Sequence, residues 1–113
     1  KERQNVLHVA TRVNRSVDAY ALLVEQATKR ELNQQDRSGH TPLYYATIDQ
    51  NQEAMELLLA AGASPDKGKD RPIYETVKQN RKDLYQVLEK SGASATRKQV
   101  KQLAETYGAA SFE

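Results

Sequence analysis

A chain of 113 residues has room for one domain with a modest core and not for a second independent one. Its 38% hydrophobic and 28% charged residues exclude a disordered polyelectrolyte. The 17 Lys and Arg are interleaved with 15 Asp and Glu for a net charge of +2, which argues against a nucleic-acid footprint. Having no cysteine excludes a disulfide framework, a thiol nucleophile and a thiolate metal site, and no apolar run approaches the roughly 18 residues that span a bilayer. The amino end, Lys1-Glu2-Arg3-Gln4-Asn5, lacks the apolar stretch of a signal peptide and does not begin with Met. The expectation is a cytoplasmic piece of a longer polypeptide.

In chain order, Asn5-Val6-Leu7-His8-Val9-Ala10 opens a first helix, which Asn14 is placed to end in a left-handed conformation. A second helix from Asp18 to Glu25 carries Ala19, Tyr20, Leu22 and Leu23 as its core face, and a charged loop, Thr28-Lys29-Arg30-Glu31, follows Ala27. Thr41 is an N-cap ahead of Pro42, whose missing N–H is harmless at the first helical position; Gln50-Asn51 is a weaker stop. The helix from Glu53 to Ala60 places Ala54, Met55, Leu57 and Leu58 inward and ends at Gly62-Ala63. Arg71-Pro72-Ile73-Tyr74-Glu75-Thr76 repeats the opening, Asn80 the stop, and Leu84, Tyr85, Val87 and Leu88 the second apolar face before Gly92-Ala93. Tyr20 and Tyr85 are expected to pack between helices with their hydroxyls in water. A last helix opens on the capping box of Thr96 and Gln99 and closes on Gly108, after which the tail is expected to fray.

Three units are therefore visible. Leu7 and Leu43 lie 36 residues apart and Leu43 and Ile73 lie 30 apart, bracketing the roughly 33 of one known helical repeat. The middle unit is the most regular: Asp36-Arg37-Ser38-Gly39-His40-Thr41-Pro42-Leu43-Tyr44-Tyr45-Ala46, then Glu53-Ala54-Met55-Glu56-Leu57-Leu58-Leu59-Ala60-Ala61-Gly62-Ala63. It resembles the ankyrin repeat pattern D-x-x-G-x-T-P-L-H-x-A followed by E-x-V-x-x-L-L-x-x-G-A. The outer units resemble it more loosely.

The resemblance implies an all-α, ankyrin-type helix-turn-helix solenoid with short hairpin-like fingers, in one domain over 1–113. The division expected is repeat one over 4–35, repeat two over 36–68, repeat three over 69–95, a capping helix over 96–108 and a tail over 109–113. It implies that a His after Pro-Leu ties neighbouring turns together; His8 keeps it, whereas Tyr44 and Tyr74 replace it. The third unit departs further, because Gly68-Lys69-Asp70 leaves a finger three residues short.

For function the resemblance implies a module that binds a partner protein on a concave face of fingers and first helices, without catalysis. The corresponding positions are Gln35, Arg37, Ser38, His40, Ile48 and Asp49 in the middle unit, Arg12 and Val13 in the first, and Lys78 and Gln79 in the third, with Tyr45 a possible extension. Val13 and Ile48 are expected to be neighbouring exposed apolar residues, a mark of an interaction patch. A structural or substrate-docking appendage of a larger enzyme or bacterial effector is the runner-up; an effector would place it in host cytoplasm.

Other chemistry finds little support. Gly62 to Asp70 departs from the phosphate loop in spacing, lacks the magnesium-binding hydroxyl, and contains Pro65 where a backbone donor is needed, so no cofactor is expected. His8 and His40 have no neighbours at metal-ligand spacing. Basic clusters at Lys29-Arg30, Lys67 with Lys69 and Arg71, Arg81-Lys82, and Arg97-Lys98 with Lys101 lack interleaved aromatics, which leaves nucleic-acid binding the weakest reading.

Overall fold

The computed structural model describes residues 5–13 and 16–112; Asn14 lies outside them. Among these, eight α-helices follow in order: α1 Val6–Val13, α2 Val17–Gln26, α3 Lys29–Leu32, α4 Pro42–Ile48, α5 Gln52–Ala61, α6 Pro72–Lys78, α7 Lys82–Lys90 and α8 Arg97–Tyr107. A 3₁₀ turn, Ala110–Phe112, closes the chain, and the described residues contain no strand.

Capping chemistry fixes the helix ends. The Thr41 hydroxyl accepts the Tyr44 N–H ahead of Pro42. Gln50 and Asn80 turn left-handed at φ 55° and 58°, while Asn51 is the N-cap of α5, its side chain accepting the Ala54 N–H. The middle stop is thus Gln50 alone. Gly62 closes α5 at φ 112°.

The helices pair as α1 with α2, α4 with α5 and α6 with α7, and the first helices stack in the order α1, α4, α6, α8. One core cluster runs from Leu7 through Leu43, Met55, Leu58 and Ile73 to Leu84 and Leu88. A smaller one joins Val77, Ala104 and Ala109, and Tyr85 packs against both. The α8 helix therefore occupies the place of the first helix of a fourth unit.

Four expectations are corrected. The loop at 28–31 is the helical turn α3, because Thr28 and Glu31 form a reciprocal capping box. In α2 the buried positions are Tyr20 and Val24, while Ala19, Leu22 and Leu23 are exposed, since no helix pair among the described residues packs on that side of α2. The Tyr20 hydroxyl does not reach water: it lies 2.5 Å from the Thr11 Oγ1 in the interior, and burial pushes it up to about 12 against the lowering effect of that bond. The tail is packed, with Ala109 buried, Phe112 edge-on to Tyr85 at 5.0 Å, and both the Ser111 N–H and hydroxyl donating to the Asn80 side chain.

Candidate functional site

The surface of interest is built where fingers and first helices meet. The middle finger is a tight turn: the Asp36 N–H donates to the His40 carbonyl and the Gly39 N–H to the Asp36 carbonyl, both at 2.9 Å. Buried Asp36 then accepts at its carboxylate the N–H groups of Ser38 and His40, at 3.0 and 3.1 Å, and the Tyr45 hydroxyl from α4. Burial pushes the Asp36 carboxyl up, but these donors outweigh it and hold the group below its usual value. Burial and the Asp36 contact together push Tyr45 up to about 12.

Neighbouring units are tied to this finger from both sides. Fully buried His8 sets Nε2 at 3.0 Å from the His40 carbonyl, which can only accept, so the proton lies on Nε2 and Nδ1 receives the Asn5 N–H. This is the junction role that the resemblance implied. On the other side the Lys69 N–H donates to the Gly39 carbonyl at 2.8 Å. Gly39 sits at φ 84°, and a Cβ there would stand 2.9 Å from that of Lys69, so only glycine fits. The short third finger is therefore joined to the middle one despite its missing residues.

His40 is not a free finger tip. Its Nε2 is 2.7 Å from the Asp70 carboxylate and its ring is stacked on Tyr44 at 3.7 Å. Tyr44, which replaces the expected histidine, thus holds the finger from beneath. Tyr45 is half-buried and carries the Arg12 guanidinium 4.9 Å from its ring centre, bridging the first two units.

The remaining expected positions divide into two groups. Arg12, Val13, Arg37, Ser38, Ile48 and Asp49 are exposed, with Val13 61% and Ile48 37% accessible at the carboxyl ends of α1 and α4, which pack on each other. Gln35 is half-buried. Lys78 is paired with Glu75 at 3.3 Å and lies over the Tyr107 ring, and the Gln79 amide donates to the Thr47 and Ile48 carbonyls at 3.1 and 3.2 Å. These last two serve as struts to α8 and α4.

Sequence reasoning passed over Asp36, Tyr44 and Asp70. The signal for Asp36 was its place in D-x-x-G, where a short carboxylate can gather the turn's own N–H groups. The His40 to Asp70 contact spans 30 residues, and no local pattern encodes it.

The basic clusters are partly engaged within the fold. Arg81 forms a two-point pair with Asp83, and Arg71 donates to the Ser94 carbonyl. Among the described residues, no group of three or more acidic or histidine side chains converges to hold a metal.

Comparison with known proteins agrees with this geometry. The family model for ankyrin repeats (3 copies) matches residues 1–69. The chain is 44% identical over 50 residues to the mouse ankyrin repeat and SAM domain-containing protein 4B, covering 44% of this chain and 12% of that protein. It is 42% identical over 60 residues to an ankyrin repeat protein of Rickettsia felis, covering 53% and 19%, and 38% identical over 71 residues to the human mitochondrial disaggregase, covering 62% and 10%. The matched segment thus spans at most a fifth of these relatives. No helix among the described residues is long and apolar enough to cross a membrane. With more than half of its length matched and helix pairs stacked in the expected order, the chain belongs to the ankyrin repeat family.

Proposed function

We propose that this chain is a protein-interaction module whose partner docks on the face formed by the middle finger and the carboxyl ends of α1 and α4. One observation carries the reading: Val13 and Ile48, both apolar, stand exposed at the ends of packed helices, next in the chain to exposed Arg12 and Asp49. Apolar side chains ringed by charges suit a docking surface, with aromatic and Arg anchors supplying most of the binding energy. The Arg12 to Tyr45 contact and the Asp36 bonds pre-order that surface, which lowers the entropy lost on binding. His40, Tyr45, Lys78 and Gln79 brace it through their contacts within the fold, and half-buried Gln35 precedes the finger in the chain.

The test is the paired change Val13→Arg and Ile48→Arg. Affinity capture by the paired variant is expected to fail while its melting temperature matches wild type; retained capture means that another face is used. A scaffold of this kind carries no chemistry of its own, and the fold names no partner.

A second reading is favoured by one relative. The human mitochondrial disaggregase, named for an activity, has a similar segment within a much longer chain. As an appendage of such a protein, this domain would pack against its neighbour and bind nothing freely. Protection of Val13 and Ile48 from solvent by the rest of the full-length protein, without added partner, would favour that reading.

A further inference from the structure

We infer that the cavity between α3 and the loop leading to the third finger binds an acidic segment of a partner protein, held by Arg30 and Lys67. This site is separate from the Val13 and Ile48 face and does not rest on it.

The two cationic side chains come from basic clusters far apart in the chain, and the fold sets them on one cavity. It measures about 400 Å³ and is lined by Arg30, Asn33, Gln34, Gln35 and Lys67. Its origin is the longer first loop, which winds into α3; there Thr28 and Glu31 cap each other and Leu32 is buried in the main cluster. Asn33 then fastens α3 to the segment that carries Lys67, since its side-chain oxygen accepts the Ser64 N–H at 2.7 Å while its amide donates to the Lys29 carbonyl at 2.9 Å. The Gln34 side chain accepts the Asn5 amide at 2.9 Å, which ties the lining to the start of the first unit. The cavity is therefore fixed before a ligand arrives, and that lowers the ordering cost of binding.

The chemistry of the lining selects the ligand. Among the described residues no carboxylate and no apolar side chain lines the cavity, and neither Arg30 nor Lys67 takes part in an ion pair. The carboxylates beside these residues in the chain are engaged by donors of the fold. Glu31 accepts the Thr28 N–H, Asp36 the N–H groups of its own finger, and Asp66 the Ser94 N–H with both oxygens at 3.1 Å. Two exposed cations and uncharged amides offer donors to a carboxylate and nothing that repels it. Further cations follow in the chain: exposed Arg37 shortly after Gln35, and exposed Lys69 shortly after Lys67, on fingers joined by the Lys69 N–H to the Gly39 carbonyl. The finger edge thus continues the cavity with like charge, which fits an extended segment bearing several carboxylates better than a single ion. Nucleic acid is disfavoured because single strands bind by stacking bases on aromatic rings, and no aromatic side chain among the described residues lines the cavity.

Fluorescence polarisation with a fluorescein-labelled oligoglutamate peptide tests the site, at physiological ionic strength, where exposed charges more than about 8 Å away are largely screened. Wild type is expected to bind the peptide, and Arg30→Glu with Lys67→Glu to weaken binding about tenfold or more. Both positions are exposed and a glutamate in the first turn of α3 favours that helix, so this pair should keep the wild-type circular dichroism and melting temperature. Arg97→Glu with Lys101→Glu makes the same change in net charge on α8 and should leave the affinity within about twofold of wild type. Equal losses in the two pairs would overturn the inference, because the peptide would then be reading net charge, and so would a wild type that does not bind. Val13→Gln with Ile48→Gln should bind the peptide as wild type does; loss of binding there would put the peptide on the other face and overturn a separate site. A labelled oligothymidylate that binds more tightly than the peptide, and is lost with the same Arg30 and Lys67 changes, would overturn the inference in favour of nucleic acid.

Discussion

The two ends of the stack were made from similar materials to opposite effect. At the carboxyl end a helix with few large apolar residues, α8, lays Val100, Leu103 and Ala104 against the last unit, and Phe112 returns to cover Tyr85. At the amino end α1 and α2 hold more Val and Leu than they can bury, and Val6, Val9, Val13, Val17 and Leu22 stay exposed. Hydrophobic content and burial are therefore uncoupled in a repeat stack. What decides burial is whether a neighbour arrives, since each unit covers one side only of the next.

The comparison presumes that both ends belong to one cooperative structure, and the largest expected effect tests this. Leu58→Asp places an unpaired charge in the cluster that runs from Leu7 to Leu88. The cost should be about 4 kcal/mol or more, close to the whole stability of a domain this size. Loss of helical circular dichroism together with amide protection in both α1 and α8 is the expected outcome. Protection surviving in α8 would show that the smaller cluster of Val77, Ala104 and Ala109 stands alone, and that the two ends are separate structures.

A smaller loss is expected at the closed end. Phe112→Ala removes a half-buried ring from Tyr85 and should lower stability by about 2 kcal/mol, read as a shift in urea midpoint. No measurable shift would return the tail to the frayed state that its sequence suggests, and the closed end would then rest on α8 alone.

Between the ends, the middle finger gives the comparison a pH reference. In the fold Asp36 titrates below the roughly 3.9 of an unfolded Asp, held there by the donors that outweigh its burial. Its contribution is therefore fully present above that unfolded value and is lost as pH falls through the folded one. Asp36→Asn should cost about 1–2 kcal/mol at neutral pH and flatten this part of the acid limb, with wild type and variant converging below the folded value. Parallel acid limbs would mean that the carboxylate is not held by the Ser38, His40 and Tyr45 donors.

Much of this was legible beforehand. Thr41-Pro42, Asn80 and Gly62 announce helix boundaries through short-range chemistry, and the positions of Leu43, Leu58 and Leu88 follow from helical periodicity. The misread parts depend on what lies across space. Leu22 and Leu23 have the spacing of a core face, but periodicity cannot report that no described helix packs over them. The sequence Ala109-Ala110-Ser111-Phe112 has no helical period, and its order comes from the Asn80 side chain and Tyr85, both more than 25 residues away. At the candidate site, exposure of Arg12, Val13, Ile48 and Asp49 followed from the repeat register. The engagement of His40 by Asp70, and of Gln79 by the Thr47 and Ile48 carbonyls, required the superhelical packing of one unit on another.

The smallest effect is the most direct measure of the difference between the ends, because one substitution can be made at equivalent positions. Leu22 and Leu57 occupy the same place in α2 and α5; the first is 58% exposed, while the second is half-buried against the main cluster. Changing either to Gln preserves helix propensity and removes apolar contact, so the result reports packing. Leu57→Gln should cost about 1 kcal/mol, and Leu22→Gln less than about 0.5 kcal/mol, within the usual range for surface changes. The urea midpoints of the two single variants measure that gap. Equal losses would mean that the leading face of α2 is covered in solution and that the amino end is as closed as the carboxyl end.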